Sequence, residues 1–321
     1  MSNERTSIKD FKSFGMNTEI TLRAFGEKSE EAIEHTNAEL IRLEKALSRF
    51  IPGSIIANIN QSAGKGCVKI SPEVYEVLSC SIMLSQISCG LFDITIAPLV
   101  DLWDYKHSFH VPKLSEIQRL LPLVNFHDLV LDSEKETVSL RRKGQSIDLG
   151  GIAKGYASDR LIKILKEYGI TSAFVNIGGN VSTLGNKPDG TSWCVGIRHP
   201  RYKGCLLGAV KVTDKAVVTS GDYERYFIDT EGKRWHHILD PTTGFPAVSG
   251  LLSVTVIADS AMIADVLSTA VFIAGMDKGR EFLSHFPGTE AVLVDDSQQV
   301  FVTRDIKECY QAVKGLNPVF I

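Results

Sequence analysis

Apolar positions along the chain recur with two periods, and the switches between them mark the elements. Thr18–Phe25 alternates apolar and polar residues and reads as a strand. Ser29–Phe50 reads as an amphipathic helix, with Ile33, Leu40, Leu43 and Leu47 on one side. Pro72–Ser88 predicts a second helix, and Ser115–Leu121, preceded by Pro112, a short third one. Strands follow at Leu129–Leu131, Thr137–Arg141 and Ser146–Leu149. A glycine-rich turn then opens a helix from about Gly155 to Tyr168, with Ala157, Leu161, Ile162 and Leu165 as its apolar stripe. From Ala173 to Ile257 short strands alternate with Gly, Pro, Asp and Asn turns. The apolar run Ala258–Gly275 (ADSAMIADVLSTAVFIAG) predicts a buried helix, started by Asp259 or Ser260 and stopped at Gly275. A helix near Asp277–His285 and strands at Ala291–Val294 and Val300–Thr303 close the chain. Runs of strands broken by a few helices predict an α+β fold. Its core is a largely antiparallel or mixed sheet with packed helices, not a doubly wound one.

Length and composition narrow this picture. The 321 residues carry no repeat, low-complexity tract or long linker, which predicts a single domain over 1–321 with a short flexible N-terminus to about residue 12. Net charge is −3 and no block of Lys or Arg exists, so nucleic acid is not expected as a partner. Six cysteines lie scattered without CxxC spacing, which argues against thiolate metal sites and disulfide frameworks. The opening MSNERTSIKDFKSFG has no apolar signal core, and no uninterrupted apolar run is long enough for a transmembrane span. A cytoplasmic location is expected, or an exported one if the chain is a trimmed form.

Candidate chemistry concentrates in a few stretches. Within the Ala258–Gly275 helix, Asp265 lies too deep to be a cap, and Thr269 follows at i+4 on the same face. A carboxylate on an apolar helix needs a partner, because an unpaired buried charge is very costly. A hard cation is one answer, since Mg²⁺ takes oxygen ligands and few carboxylates; a backbone amide or an Arg is another. Ser146–Asp159 reads SIDLGGIAKGYASD, a strand leading through Gly150 to Gly155 into a helix. Such a turn with Lys154 suits a phosphate or simply a tight strand-to-helix connection. It matches neither nucleotide-binding glycine fingerprint. In Trp235–Pro246 (WHHILDPTTGFP) the adjacent histidines point opposite ways if they end a strand, so at most one faces a site, as base, ligand or core residue. The aromatics of GLFDITIAPLVDLWDY are either stacking surfaces or core. Together the set suits a phosphate-bearing aromatic ligand with Mg²⁺.

The wording and order of these stretches carry a resemblance. GLFDITIAPLVDLW, SIDLGGIAKGYASDR, NIGGN, VTSGDYERYF, HHILDPTTGFP and ADVLSTA resemble the ApbE-type flavin transferases, the FAD:protein FMN transferases. They run in the family's order from about Gly15 to Gly279. The resemblance implies an ApbE-like (T-fold-like) architecture and transfer of FMN from FAD to a Thr or Ser hydroxyl of a target flavoprotein, with release of AMP and a need for Mg²⁺. It implies that Asp265 and Thr269 bind the metal through side-chain oxygens, joined by the backbone carbonyl of Ala153. It places FAD against Met16, Phe50, Leu91, Phe92, Asp93, Gly150, Tyr156, Ile238 and Leu239. Phe50 departs from the family, where Tyr or Trp is frequent, keeping the ring and losing the polar tip. Many members are exported lipoproteins; this sequence shows neither the signal nor the lipidated Cys. The implied acceptors are fumarate reductase-like enzymes or ion-pumping redox subunits.

The reaction so implied is phosphoryl transfer, in which positioning and charge neutralisation dominate. Lys154 is the expected cation near the pyrophosphate and His237 the expected base. Two other readings remain on these residues. One is a Mg²⁺-dependent FAD pyrophosphatase giving FMN and AMP; the other is a non-catalytic FAD-binding protein.

Overall fold

The computed structural model describes residues 8–105 and 107–321. Strands β1 (Ile8–Gly15) and β2 (Thr18–Phe25) form a hairpin whose two turn residues, Met16 and Asn17, both have positive φ, 50° and 61°. That left-handed pair matches the twist of the flanking strands. Residues 8–12, expected within a flexible terminus, thus belong to β1, while residues 1–7 of that expectation lie outside the described residues. Helices α1 (Ser29–Leu47) and α2 (Ile55–Gln61), strand β3 (Val68–Lys69) and helix α3 (Pro72–Ile87) follow. Helix α1 stops at Leu47, short of the expected Phe50. Ser48 turns extended, and the next residue, Arg49, is drawn off to Asp101 and Asp148.

Next come α4 (Ala97–Trp103), α5 (Leu114–Leu120), β4 (Leu129–Asp132), β5 (Thr137–Leu140), α6 (Ala153–Glu167), β6 (Ser172–Ile177) and β7 (Asn180–Leu184). The expected strand at Ser146–Leu149 joins no ladder. Its backbone is bonded instead by a side chain, with Asn60 both donating to Ile147 O (3.1 Å) and accepting from Ile147 N (2.8 Å). Strands β8 (Trp193–Arg198), β9 (Leu206–Val212), β10 (Ala216–Gly221), β11 (Tyr226–Ile228), β12 (Arg234–His236) and β13 (Leu251–Ala258) precede α7 (Ala261–Ala274) and α8 (Met276–Ser284). Strands β14 (Glu290–Asp295), β15 (Val300–Val302), β16 (Tyr310–Ala312) and β17 (Val319–Phe320) complete the chain.

Among the described residues a nine-stranded sheet forms the centre, in the order β1-β2-β6-β7-β10-β13-β14-β15-β17. Only its last pair, β15 with β17, is parallel, as the expected antiparallel character requires. Strand β13 (LLSVTVIA) is buried at every position, because helices cover one face and the sheet β16-β9-β8 covers the other. Helices α6 and α7 lie side by side on the helical face.

Each of these two helices carries a carboxylate that bonds the start of the other. Asp159 of α6 accepts from Ala261 N (2.8 Å), Met262 N (3.0 Å) and Ser260 Oγ (2.7 Å) at the start of α7. Asp265 of α7 accepts from Gly155 N (3.0 Å) at the start of α6. Ser260 is therefore the α7 cap, and Asp259 turns away to Lys215. Asp159→Ala is expected to destabilise the protein by about 2–3 kcal/mol, because two buried helix-start amides lose a charged acceptor. Chemical denaturation would show it as a lower midpoint with an unchanged slope.

Candidate active site

A cleft of about 1310 Å³ opens where the first turn of α6, the middle of α7 and the ends of β7 and β10 converge. That exceeds the roughly 300–1,000 Å³ of ordinary small-molecule clefts and suits an elongated ligand. Asp265 sits on its floor, 4% exposed. Its Oδ2 accepts from Gly155 N and faces Lys154 Nζ at 3.5 Å. Its Oδ1 has no hydrogen bond among the described residues. One turn on, Thr269 Oγ1 lies 3.1 Å from Ser220 Oγ, which in turn lies 2.8 Å from Ser268 Oγ. The donors gathered here are a free carboxylate oxygen and hydroxyls. Among the described residues no cluster of three His, Cys, Asp or Glu exists. Such a set fits a hard cation that takes few protein carboxylates and completes its shell with phosphate oxygens and water.

The glycine turn behaves differently from an open amide cradle. Gly150 N donates to Asp148 Oδ1 (2.7 Å), Ile152 N and Ala153 N to Leu149 O, and Gly155 N to Asp265. Gly155 is needed for packing. A Cβ there would lie 2.3 Å from Ala261 O, so α6 and α7 touch backbone to backbone. Lys154 crosses the turn to donate to Gly150 O (2.7 Å), which holds its ammonium at the cleft beside Asp265.

The two histidines divide as alternation along a strand dictates. His236 is buried; its Nε2–H donates to Ala247 O (3.1 Å) and its Nδ1 accepts from Ile238 N (3.3 Å). His237 is half-buried and lines the cleft. Its Nδ1–H donates to Arg225 O (3.2 Å), because a carbonyl only accepts; this leaves the Nε2 lone pair unused among the described residues. Burial, and then the charge of Arg225, pushes its pKa down to about 3, so the ring is neutral at physiological pH.

Of the other expected contacts, Met16, Phe50, Leu91, Phe92, Ile238 and Leu239 all line the cleft, as does Ala153 at the start of α6. Phe50 is 67% exposed at the rim, with the Arg49 guanidinium 4.5 Å from its ring centre. Asp93 also borders the cleft, but its carboxylate is already engaged. Oδ1 accepts from Thr95 N and Oγ1 (2.7 and 2.6 Å) and Oδ2 from Phe126 N (2.8 Å). Tyr156 does not line the cleft. It is buried in the core, and its hydroxyl donates to Glu76 Oε2 (3.3 Å). The period of the helix explains this: Tyr156 follows Lys154 by two residues and faces the opposite way.

Three lining residues escaped the sequence reading. Arg49 pairs with Asp101 (3.0 Å) and Asp148 (2.7 Å), tying the end of α1 to α4 and the glycine turn. Nothing local marks it, since its partners lie far along the chain. Ser220 and Asn180 stood within quoted stretches, VTSGDYERYF and NIGGN, without an assigned role; their signal was small polar residues inside apolar strands.

Residues 15–293 match the ApbE family. An FAD:protein FMN transferase of Klebsiella pneumoniae (strain 342) is 34% identical over 306 residues, covering 94% of this chain and 93% of that protein. One from Treponema pallidum (strain Nichols) is also 34% identical, over 84% of this chain and 78% of its own length. The crystal structure of the ApbE protein of Thermotoga maritima superimposes with a TM-score of 0.86 at 32% identity, covering 94% of this chain and 99% of that one. The apo flavinyl transferase ApbE of Pseudomonas stutzeri gives 0.84 at 30%, covering 96% and 98%.

Proposed function

Since the chain belongs to the ApbE family, we propose that it is an FAD:protein FMN transferase that moves FMN from FAD to a Thr or Ser hydroxyl of an acceptor flavoprotein. The observation that carries the reading is the Asp265 Oδ1, Thr269 and Ser220 oxygen set beside the Lys154 ammonium, on the floor of a cleft large enough for a dinucleotide. Mg²⁺ held by Asp265 and Thr269, with the carbonyl of Ala153, would neutralise charge on the pyrophosphate.

The acceptor oxygen attacks the phosphorus on the FMN side. The bond from that phosphorus to the bridging oxygen breaks, and AMP leaves. Lys154, fixed by Gly150 O, sets a positive charge beside the phosphates. His237 Nε2 receives the hydroxyl proton, its ring held in the right tautomer by Arg225 O. Met16, Leu91, Phe92, Ile238 and Leu239 supply apolar walls for the flavin and adenine rings, and Phe50 a stacking face at the rim. Gly150 keeps the turn close to the ligand, and Asp93 contributes by holding the Phe92 segment in place through Thr95 and Phe126. No helix among the described residues is long and apolar enough to cross a membrane. The acceptor chemistry fits a fumarate reductase-like enzyme or a redox-pump subunit, the former being the natural partner of a cytoplasmic member.

Incubation with FAD, Mg²⁺ and a protein bearing an acceptor Thr tests the reading. An FMN adduct by intact mass, with AMP in equal amount, is the expected result. AMP with free FMN and no adduct would make water the acceptor, and unchanged FAD would leave only binding. Because the His237 pKa lies so low, kcat/KM is expected to stay level on its acidic side down to about pH 5. His237→Ala is expected to lower kcat by about 10²-fold or more with little change in FAD affinity. An unchanged rate in that variant removes it as the base.

A further inference from the structure

Asn180 is 3% exposed, borders the cleft, and its Nδ2 has no partner among the described residues. Buried amide donors in native proteins almost always have an acceptor, so one left unpaired in the wall of a ligand cleft points to a contact made by the ligand. Its position follows from register. Strands β7 and β10 pair only at Val181–Val217 and Ser182–Ala216, then part, and the cleft enters between Asn180 and the rest of β10. Ser182 donates to Ser158 of α6 (3.2 Å), so Asn180, two residues away, faces the helices as well.

The levels also agree. Helix α6 runs parallel to β7. Lys154 lies one turn before Ser158 and Asn180 two strand residues before Ser182, about 6 Å in each case. Helix α7 likewise runs parallel to β10. Asp265 lies one turn before Thr269, which meets Ser220, and Val218 lies two residues before Ser220. Val218 is the next position opposite Asn180 in the β7–β10 register. Asn180, Lys154 and Asp265 therefore stand at one height around the same opening. Three other lining residues carry a buried donor without a hydrogen bond among the described residues: Trp193 Nε1 belongs to β8 and packs on Phe174 of the opposite sheet face, the Tyr105 ring stacks on Trp103, and Arg49 Nε lies 2.7 Å from Asp148 in an ion pair.

We propose that the Asn180 carboxamide holds the FAD pyrophosphate, donating from Nδ2 to a non-bridging phosphate oxygen across from Lys154. This rests on the transferase reading above. Phosphate oxygens only accept hydrogen bonds, and a fixed donor at the reacting phosphorus gains strength as charge builds there.

Asn180→Asp separates this from a structural role, because Asp suits the same turn and volume but sets a negative charge against the phosphate. Its kcat/KM for transfer is expected to fall about 10²-fold or more, and FAD affinity, read by flavin fluorescence, about 10-fold. Affinity for riboflavin, which lacks phosphates, should not change. Asn180→Ala should also lose activity while its Tm stays level or rises, since an unsatisfied buried amide is removed. An active Asn180→Asp, equal losses for FAD and riboflavin, or a lower Tm with normal transfer in Asn180→Ala each overturn the proposal. A wild type that neither binds nor consumes FAD overturns the transferase reading together with it; an active wild type beside an unaffected Asn180→Asp overturns this inference alone.

Discussion

Asp265→Asn is expected to reduce FMN transfer by about 10³-fold, equivalent to ~4 kcal/mol of transition-state stabilisation, while leaving a folded protein. The amide keeps an oxygen for Gly155 N–H but removes the charge that faces Lys154 and the cleft. Asp265→Ala should lose as much activity and more stability, because Gly155 N then has no acceptor in a buried helix start, a cost of about 1–3 kcal/mol. The comparison that matters is transfer against Mg²⁺ concentration. The wild type should lose activity on chelation and regain it with Mg²⁺, whereas no Mg²⁺ concentration should restore either variant. Substantial transfer by Asp265→Asn at ordinary Mg²⁺ would show that this carboxylate serves the helix pair and not the reaction.

The second large effect is expected at Gly155. Alanine is the better helix former by about 1 kcal/mol, so propensity alone predicts a gain. The added methyl would lie 2.3 Å from Ala261 O and 2.7 Å from Met262 Cα, and backbone cannot step aside as a side chain does. Gly155→Ala is therefore expected to cost at least about 2 kcal/mol net. It should also impair catalysis, since prising α6 from α7 separates Lys154 from Asp265. Gly66→Ala is the control: its Cβ would meet nothing within 4 Å, and its stability should stay within about 0.5 kcal/mol of the wild type. Thermal or urea unfolding of the two variants decides the matter; equal stabilities would refute the close-contact account.

Legibility in the sequence followed the physics that formed each element. Helix α7 was readable because burial governs it, and an unbroken apolar run has few other solutions. Strand β1 was not, since IKDFKSFG leaves Ile8 60% and Phe14 73% exposed. Its order comes from pairing with β2, a backbone property that side-chain patterning does not report. Helix α4 hid inside a stretch read for its aromatics; Pro98 in its first turn and the left-handed Asp104 at its end set its limits. The Asp265–Thr269 pair was local, at helical spacing, and so was found. Arg49 follows α1, Asp148 precedes the glycine turn, and Ser220 and Asn180 belong to β10 and β7, so only the folded sheet brings them together.

The exchange of carboxylates between α6 and α7 has an evolutionary corollary. Asp159 and Asp265 each belong to one helix and serve the other, so neither helix is complete as an inherited piece. A chimera that imports α7 from a distant member must also receive an α6 able to answer it, a small residue at 155 and a carboxylate at 159 included. Drift at positions 155, 159 and 265 is thereby tethered, and lineages of this fold should change them as a block.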